Sequence, residues 1–284
     1  MAERSLLLVH AHPDDETIFT GATAAHYAAQ GVRVTLVCCT LGEQGEIYVD
    51  ELVQLAADQA DQLGGYRLSE LRAACRELGL DDVRLLGGAG RYRDSGMPGA
   101  PSNAHPRAFG YGNSSMAVDE LAAVVRQVRP GVVLTYAENG TTAHPDHVQT
   151  HRVAMAAIDA AAGHASDPWR VSRAYAPVFP LSMVSKGADR FFASSENPFA
   201  DLDDVSELPF VVPDEAVAVR IDASRHGERK LAALAAHETQ IRTDTWLYAL
   251  ATNLGIEPSG VEYYRRLSVG ETISNPTVAT DFFD

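Results

Sequence analysis

Two short stretches concentrate imidazole and carboxylate groups: His10-Ala11-His12-Pro13-Asp14-Asp15-Glu16 and His144-Pro145-Asp146-His147. These groups are the nitrogen and oxygen ligands of zinc, and a catalytic zinc takes three protein ligands while keeping one position open to water. His12 and Asp15, three apart at a turn, can reach one ion, and His147 completes the set from the second stretch. Asp14 then stands beside a ligand without being needed as one, placed to take a proton from an attacking water. His144 could present an imidazolium or a neutral donor to an oxyanion. Asp146 reads first as a helix cap and second as a carboxylate that orients one of the histidines.

The same residues have a plainer use. Pro13 followed by Asp14, Asp15 and Glu16 suits the acidic first turn of a helix. Metal chemistry is favoured because two such clusters occur, each just beyond an apolar run. Two histidines and a carboxylate also fit non-haem Fe(II) oxygenases, and Fe2+ could fill the ligands in place of Zn2+. A metal-binding module without turnover is a third reading. A dinucleotide turn loses most of its support at the first cluster, which contains no glycine. His237-Glu238 has Ile241 where a second zinc-binding histidine would stand.

Leu6 to Val9 is a continuous apolar run that stops at polar residues, as a strand buried on both faces does. Helical spacing follows from about Thr17 to Gln30, then apolar runs at Val32–Cys38, Val83–Leu86 and Val132–Leu134 alternate with helical patterns over Tyr66–Leu78, Leu121–Val128 and His147–Ala162. Ser114 is the expected cap of the helix before Pro130. Strands alternating with helices imply an α/β, Rossmann-like three-layer sandwich with a mainly parallel sheet. One domain is expected over residues 1–284, with irregular loops near 94–115 and 182–213 and a late helix over Ser224–Gln240 carrying Leu231 and Leu234 on one face. In such sheets ligands bind outside the carboxyl ends of the strands, where both clusters fall.

The 284 residues carry 23 Lys+Arg against 38 Asp+Glu, a net charge of −15 that argues against nucleic acid as a partner. The first apolar run is too short for a signal segment or a membrane span. Cys38, Cys39 and Cys75 read as reduced thiols, hence a cytoplasmic setting. Oligomeric state has no signal in the sequence.

The paired clusters resemble the LmbE/PIG-L-like family of metal-dependent N-deacetylases. The likeness extends through Gly21-Ala22-Thr23, Cys39 to Glu43, Asp61 to Arg67, Leu86 to Arg91, Arg93 to Met97 and Leu231 to Gln240, and is strongest toward the branch that deacetylates N-acetylglucosaminyl-inositol in mycothiol biosynthesis. That resemblance implies a small amino-sugar substrate. It makes His12, Asp15 and His147 the zinc ligands, Asp14 the general base and His144 the residue that assists the tetrahedral intermediate. It also assigns Arg67 and Asp94 to sugar and inositol hydroxyls. An amidase of mycothiol S-conjugates or an antibiotic-sugar deacetylase would use the same site. Thr142 stands where that branch has a tyrosine; either His144 acts alone on the oxyanion, Tyr136 or another donor substitutes, or the substrate differs.

Overall fold

The computed structural model describes residues 4–269 and 277–284. Strand β1 (Ser5–His10) is flanked by β2 (Arg33–Cys38) and β4 (Val132–Leu134), both parallel to it. Outside these lie β3 (Asp82–Leu85) beside β2 and β5 (Arg173–Pro180) beside β4, again parallel. The sheet then turns antiparallel, with β8 (Val261–Leu267) on β5 and β7 (Val219–Asp222) on β8, while the two-residue β6 (Val211–Val212) joins the end of β5. The order among the described residues is β3-β2-β1-β4-β5-β8-β7. It confirms the mainly parallel sheet and adds an antiparallel edge.

Helices cover both faces because β1 is apolar on both. Leu6 and Leu8 pack with α1 (Asp15–Ala29), α2 (Leu63–Leu78) and α7 (Gly227–Ala236). Leu7 and Val9 pack on the other side with α3 (Ser115–Val128) and α4 (Pro145–Ala162). The chain leaves β1 toward β2 in one direction and toward β4 in the other, so the carboxyl ends of β1 and β4 flank the crevice where an α/β sheet binds ligands.

Several sequence expectations are corrected. Ser114 makes no capping bond; Asn113 does, its Oδ1 accepting from Ser115 N–H at 2.9 Å. The 182–213 stretch is only partly irregular, since it holds α5 (Leu181–Lys186), α6 (Ala188–Phe192) and β6. Its Phe191 and Phe210 form a third core with Leu250 of α8 (Trp246–Ala251). The late helix is shorter than expected and ends at Ala236, and Leu231 is exposed while Leu234 is buried.

Candidate active site

The turn after β1 carries His12, Pro13 and Asp14, and α1 opens at Asp15. Asp14 caps that helix through its carbonyl, which accepts from Thr17 and Ile18 N–H at 2.9 Å each. Its backbone lies at φ 120°, a region that side-chain-bearing residues rarely occupy. Across the crevice Pro145 starts α4, and His144 is its cap, with Nδ1 accepting from Asp146 N–H at 3.2 Å. Asp146 is therefore not the cap, contrary to the preferred sequence reading.

His12 Nδ1, Asp15 Oδ2 and His147 Nε2 form a nearly equilateral triangle, with edges of 3.4, 3.3 and 3.3 Å. A tetrahedral zinc with bonds of about 2.0–2.1 Å requires ligand atoms about 3.3–3.4 Å apart. The far nitrogens of both rings are occupied. His12 Nε2 faces Asp146 Oδ2 at 3.2 Å and Asp94 Oδ1 at 3.5 Å; a carboxylate only accepts, so the proton sits on Nε2 and leaves Nδ1 a lone pair toward the triangle. His147 Nδ1 donates to the Gly140 carbonyl at 3.1 Å, with the Thr142 hydroxyl at 3.2 Å, which leaves Nε2 likewise free. Asp146 thus performs the orienting role placed second in the sequence, and Ser95 N–H donates to it at 2.9 Å.

Electrostatics agree with a cation there. Burial works against a charged His12, yet Asp94, Asp146 and Asp15 together raise its proton affinity well above the ordinary imidazole value. The same surroundings, with no proton on Nδ1, would attract a metal ion. Burial likewise opposes an ionised Asp15, but His147 and His12 hold it well below the usual carboxylate range.

Tyr136, one of the donors left open for the oxyanion, is already committed. Fully buried just after β4, it donates to Asp15 Oδ2 at 2.7 Å, accepts from Ala11 N–H at 2.9 Å, and stacks on the His147 ring at a centroid distance of 4.1 Å. His144 is better placed. Burial, with His12 and His147 nearby, lowers it to about 3, so its ring is neutral at pH 7. With Nδ1 accepting from the helix, Nε2 carries the proton and faces the site, 4.0 Å from Asp94 Oδ1.

Asp14 meets the guanidinium of Arg67, with Nη2 at 3.0 Å from Oδ2. The same guanidinium donates to the carbonyls of Gly42, at 2.6 Å, and Pro13. Arg67 and Asp94 are both buried, 3% and 4% exposed, and the partners visible for each are protein groups. Asp94 accepts from Gln44 and Gly96 N–H at 3.1 and 2.9 Å.

The family described as PIG-L, GlcNAc-PI de-N-acetylase, matches residues 7–158, which contain both clusters and more than half the chain. The chain belongs to the PIG-L family. A relative 57% identical over 268 residues, covering 92% of this chain and 91% of its own, is the 1D-myo-inositol 2-acetamido-2-deoxy-alpha-D-glucopyranoside deacetylase of Geodermatophilus obscurus. Among solved structures, the N,N'-diacetylchitobiose deacetylase of Pyrococcus horikoshii is 20% identical, with a TM-score of 0.56 over 94% of this chain and 84% of its own. The 4-carboxy-2-hydroxymuconate hydratase of Pseudomonas putida is 20% identical, with a TM-score of 0.60 over 95% and 100%. These two likenesses concern the fold, which in this case hosts more than one reaction.

Proposed function

We propose that this PIG-L family member is a zinc-dependent amidohydrolase that removes the acetyl group from 1D-myo-inositol 2-acetamido-2-deoxy-α-D-glucopyranoside, within mycothiol biosynthesis. The observation that carries the reading is the 3.3–3.4 Å triangle of His12, Asp15 and His147 beside the buried Asp14 carboxylate. The 57% identity to a deacetylase of that substrate supports the choice of amide.

His12, Asp15 and His147 would hold the ion, zinc or, with the same ligands, ferrous iron. When bound, the metal supplies Lewis-acid chemistry: it makes a water easier to deprotonate and polarises the amide carbonyl. Asp14 takes the water's proton, Arg67 keeping its carboxylate aimed and charged. His144, neutral with its proton on Nε2, donates to the developing oxyanion. The amine leaves once protonated by Asp14 or His144. Arg67 and Asp94 are assigned to the sugar and inositol hydroxyls, Arg67 while also steadying Asp14. Three free, buried cysteines suit a reducing cytoplasm, and no helix among the described residues is long and apolar enough to cross a membrane.

The test is paired. Asp14→Asn should lower kcat by about 10²–10⁴-fold with zinc content unchanged, whereas His12→Ala should lose both zinc and turnover. Full acetate release by Asp14→Asn would remove Asp14 as the base. Cleavage of a mycothiol S-conjugate in preference to acetate release would move the substrate but keep the site.

A further inference from the structure

One buried cluster next to the site has no task in this scheme. His237, just past α7, is fully buried, and its Nε2 lies 2.8 Å from Glu16 Oε1. The other oxygen of Glu16 accepts the Asp14 N–H at 2.9 Å, and Oε1 also accepts the Thr17 hydroxyl at 2.5 Å. Glu16 has no solvent exposure, so its carboxylate has these partners in place of water.

The neighbours of His237 tie down the same region. Thr239 donates from N–H and hydroxyl to the two oxygens of Glu70 on α2, at 2.8 Å each. Gln240 donates to the Glu46 carbonyl at 2.9 Å. It fits so tightly that a Cβ on Gly45 would lie 2.3 Å from its side-chain oxygen and 2.7 Å from Nη1 of Arg67. Residues 237–240 therefore brace α1, α2 and the loop after β2 behind Asp14 and Arg67.

Asp14 needs such bracing. At φ 120° its backbone is strained, and strain of that kind persists only where surrounding contacts over-determine it. We propose that His237 is a positioning residue for the general base: it holds Glu16 in the rotamer that ties the Asp14 N–H, and thereby fixes the backbone that aims the Asp14 carboxylate. This rests on the reading of Asp14 as proton acceptor. Without His237, Glu16 would turn toward other donors, Asp14 would relax, and its carboxylate would leave the line of attack while the three metal ligands stay in place.

The experiment is a double-mutant cycle on the zinc-loaded enzyme, measured as acetate release from the N-acetylated inositol glucosaminide, with zinc affinity and a crystal structure as independent readouts. Misplacing a catalytic group by about 1 Å costs about 100-fold, so His237→Ala should lower kcat about 10–100-fold, leaving KM and zinc affinity within about twofold. His237→Gln, whose amide can donate to Glu16, should recover most of the loss. In the Asp14→Asn background His237→Ala should cost less than about twofold, since its effect runs through Asp14. The crystal structure of His237→Ala should show Asp14 out of its positive-φ conformation. If that variant fails to fold because Glu16 is left charged and unpaired, the apolar pair Glu16→Leu with His237→Leu carries the same test.

Unchanged kcat in His237→Ala, an equal loss with and without Asp14, or Asp14 unmoved in the crystal would each overturn the inference. Wild-type turnover by Asp14→Asn alone would instead overturn the base assignment, so the two failures are distinguishable.

Discussion

Asp14 is raised to about 6: burial pushes its carboxyl up most, Arg67 pulls it down, Asp15 pushes it up, and His237 and His12 add smaller downward pulls. The group must be ionised to accept a proton, so kcat/KM should fall as pH drops through its pKa. Removing the guanidinium removes the largest influence that favours the charged form. Arg67→Met should therefore move the acid limb of the pH–kcat/KM profile upward by about one pH unit. A residue that only bound sugar hydroxyls would raise KM and leave the limb where it was. The triangle of His12, Asp15 and His147 was legible at this scale because its members stand in two dense local clusters. Asp146 was misread because its local signal, an acid at a helix start, is that of a cap. Its partner His12 lies 134 residues away in sequence and is brought to it only by the fold. Tyr136 was considered only as a stand-in oxyanion donor, since nothing local shows that its hydroxyl bonds Asp15, and Glu16 looked like first-turn acidity.

The elements matter where they approach the site closely. The loop between β2 and α2 brings Gly42 so near Arg67 that a Cβ would lie 2.0 Å from Nη1, and its φ of 65° belongs to the left-handed region. Gly42→Ala should cost about 1–3 kcal/mol of stability from the backbone alone, read from urea unfolding. It should also displace Arg67 and lower kcat, with the acid limb moving as in Arg67→Met. Wild-type kinetics in Gly42→Ala would mean the guanidinium has room that these distances deny. The parallel strands β1 to β4 and the helices that follow them were readable from apolar runs and helical spacing, their ends shifting by a few residues. The pieces not read from the sequence are β5, β7 and β8, which make up the far half of the sheet, and α5, α6, β6 and α8, which are too short for a period to show. Aromatic packing ties α6 and the loop after it to α8 through Phe191, Phe199, Phe210 and Trp246, contacts that mostly join segments far apart in sequence.

For the whole molecule, function follows from where the strand order reverses. Because β4 returns to the far side of β1, the two clusters, well over a hundred residues apart in sequence, face each other across a few ångströms. The alternation of elements foretold that crevice, and the strand-end location of the clusters foretold its contents. The return of the C-terminal third behind the site, through α7 and His237, was not foretold. Its sequence carries a late amphipathic helix but no cue that its end contacts Glu16. All of the proposed chemistry depends on one ion in one place. The most direct test is anomalous diffraction at the zinc edge from crystals grown with one equivalent of zinc. A single peak bonded to His12 Nδ1, Asp15 and His147 Nε2 at about 2.0–2.2 Å is the expected result. A peak on the opposite side of the His12 ring, between Nε2, Asp94 and Asp146, would contradict the account, as would no peak at the triangle.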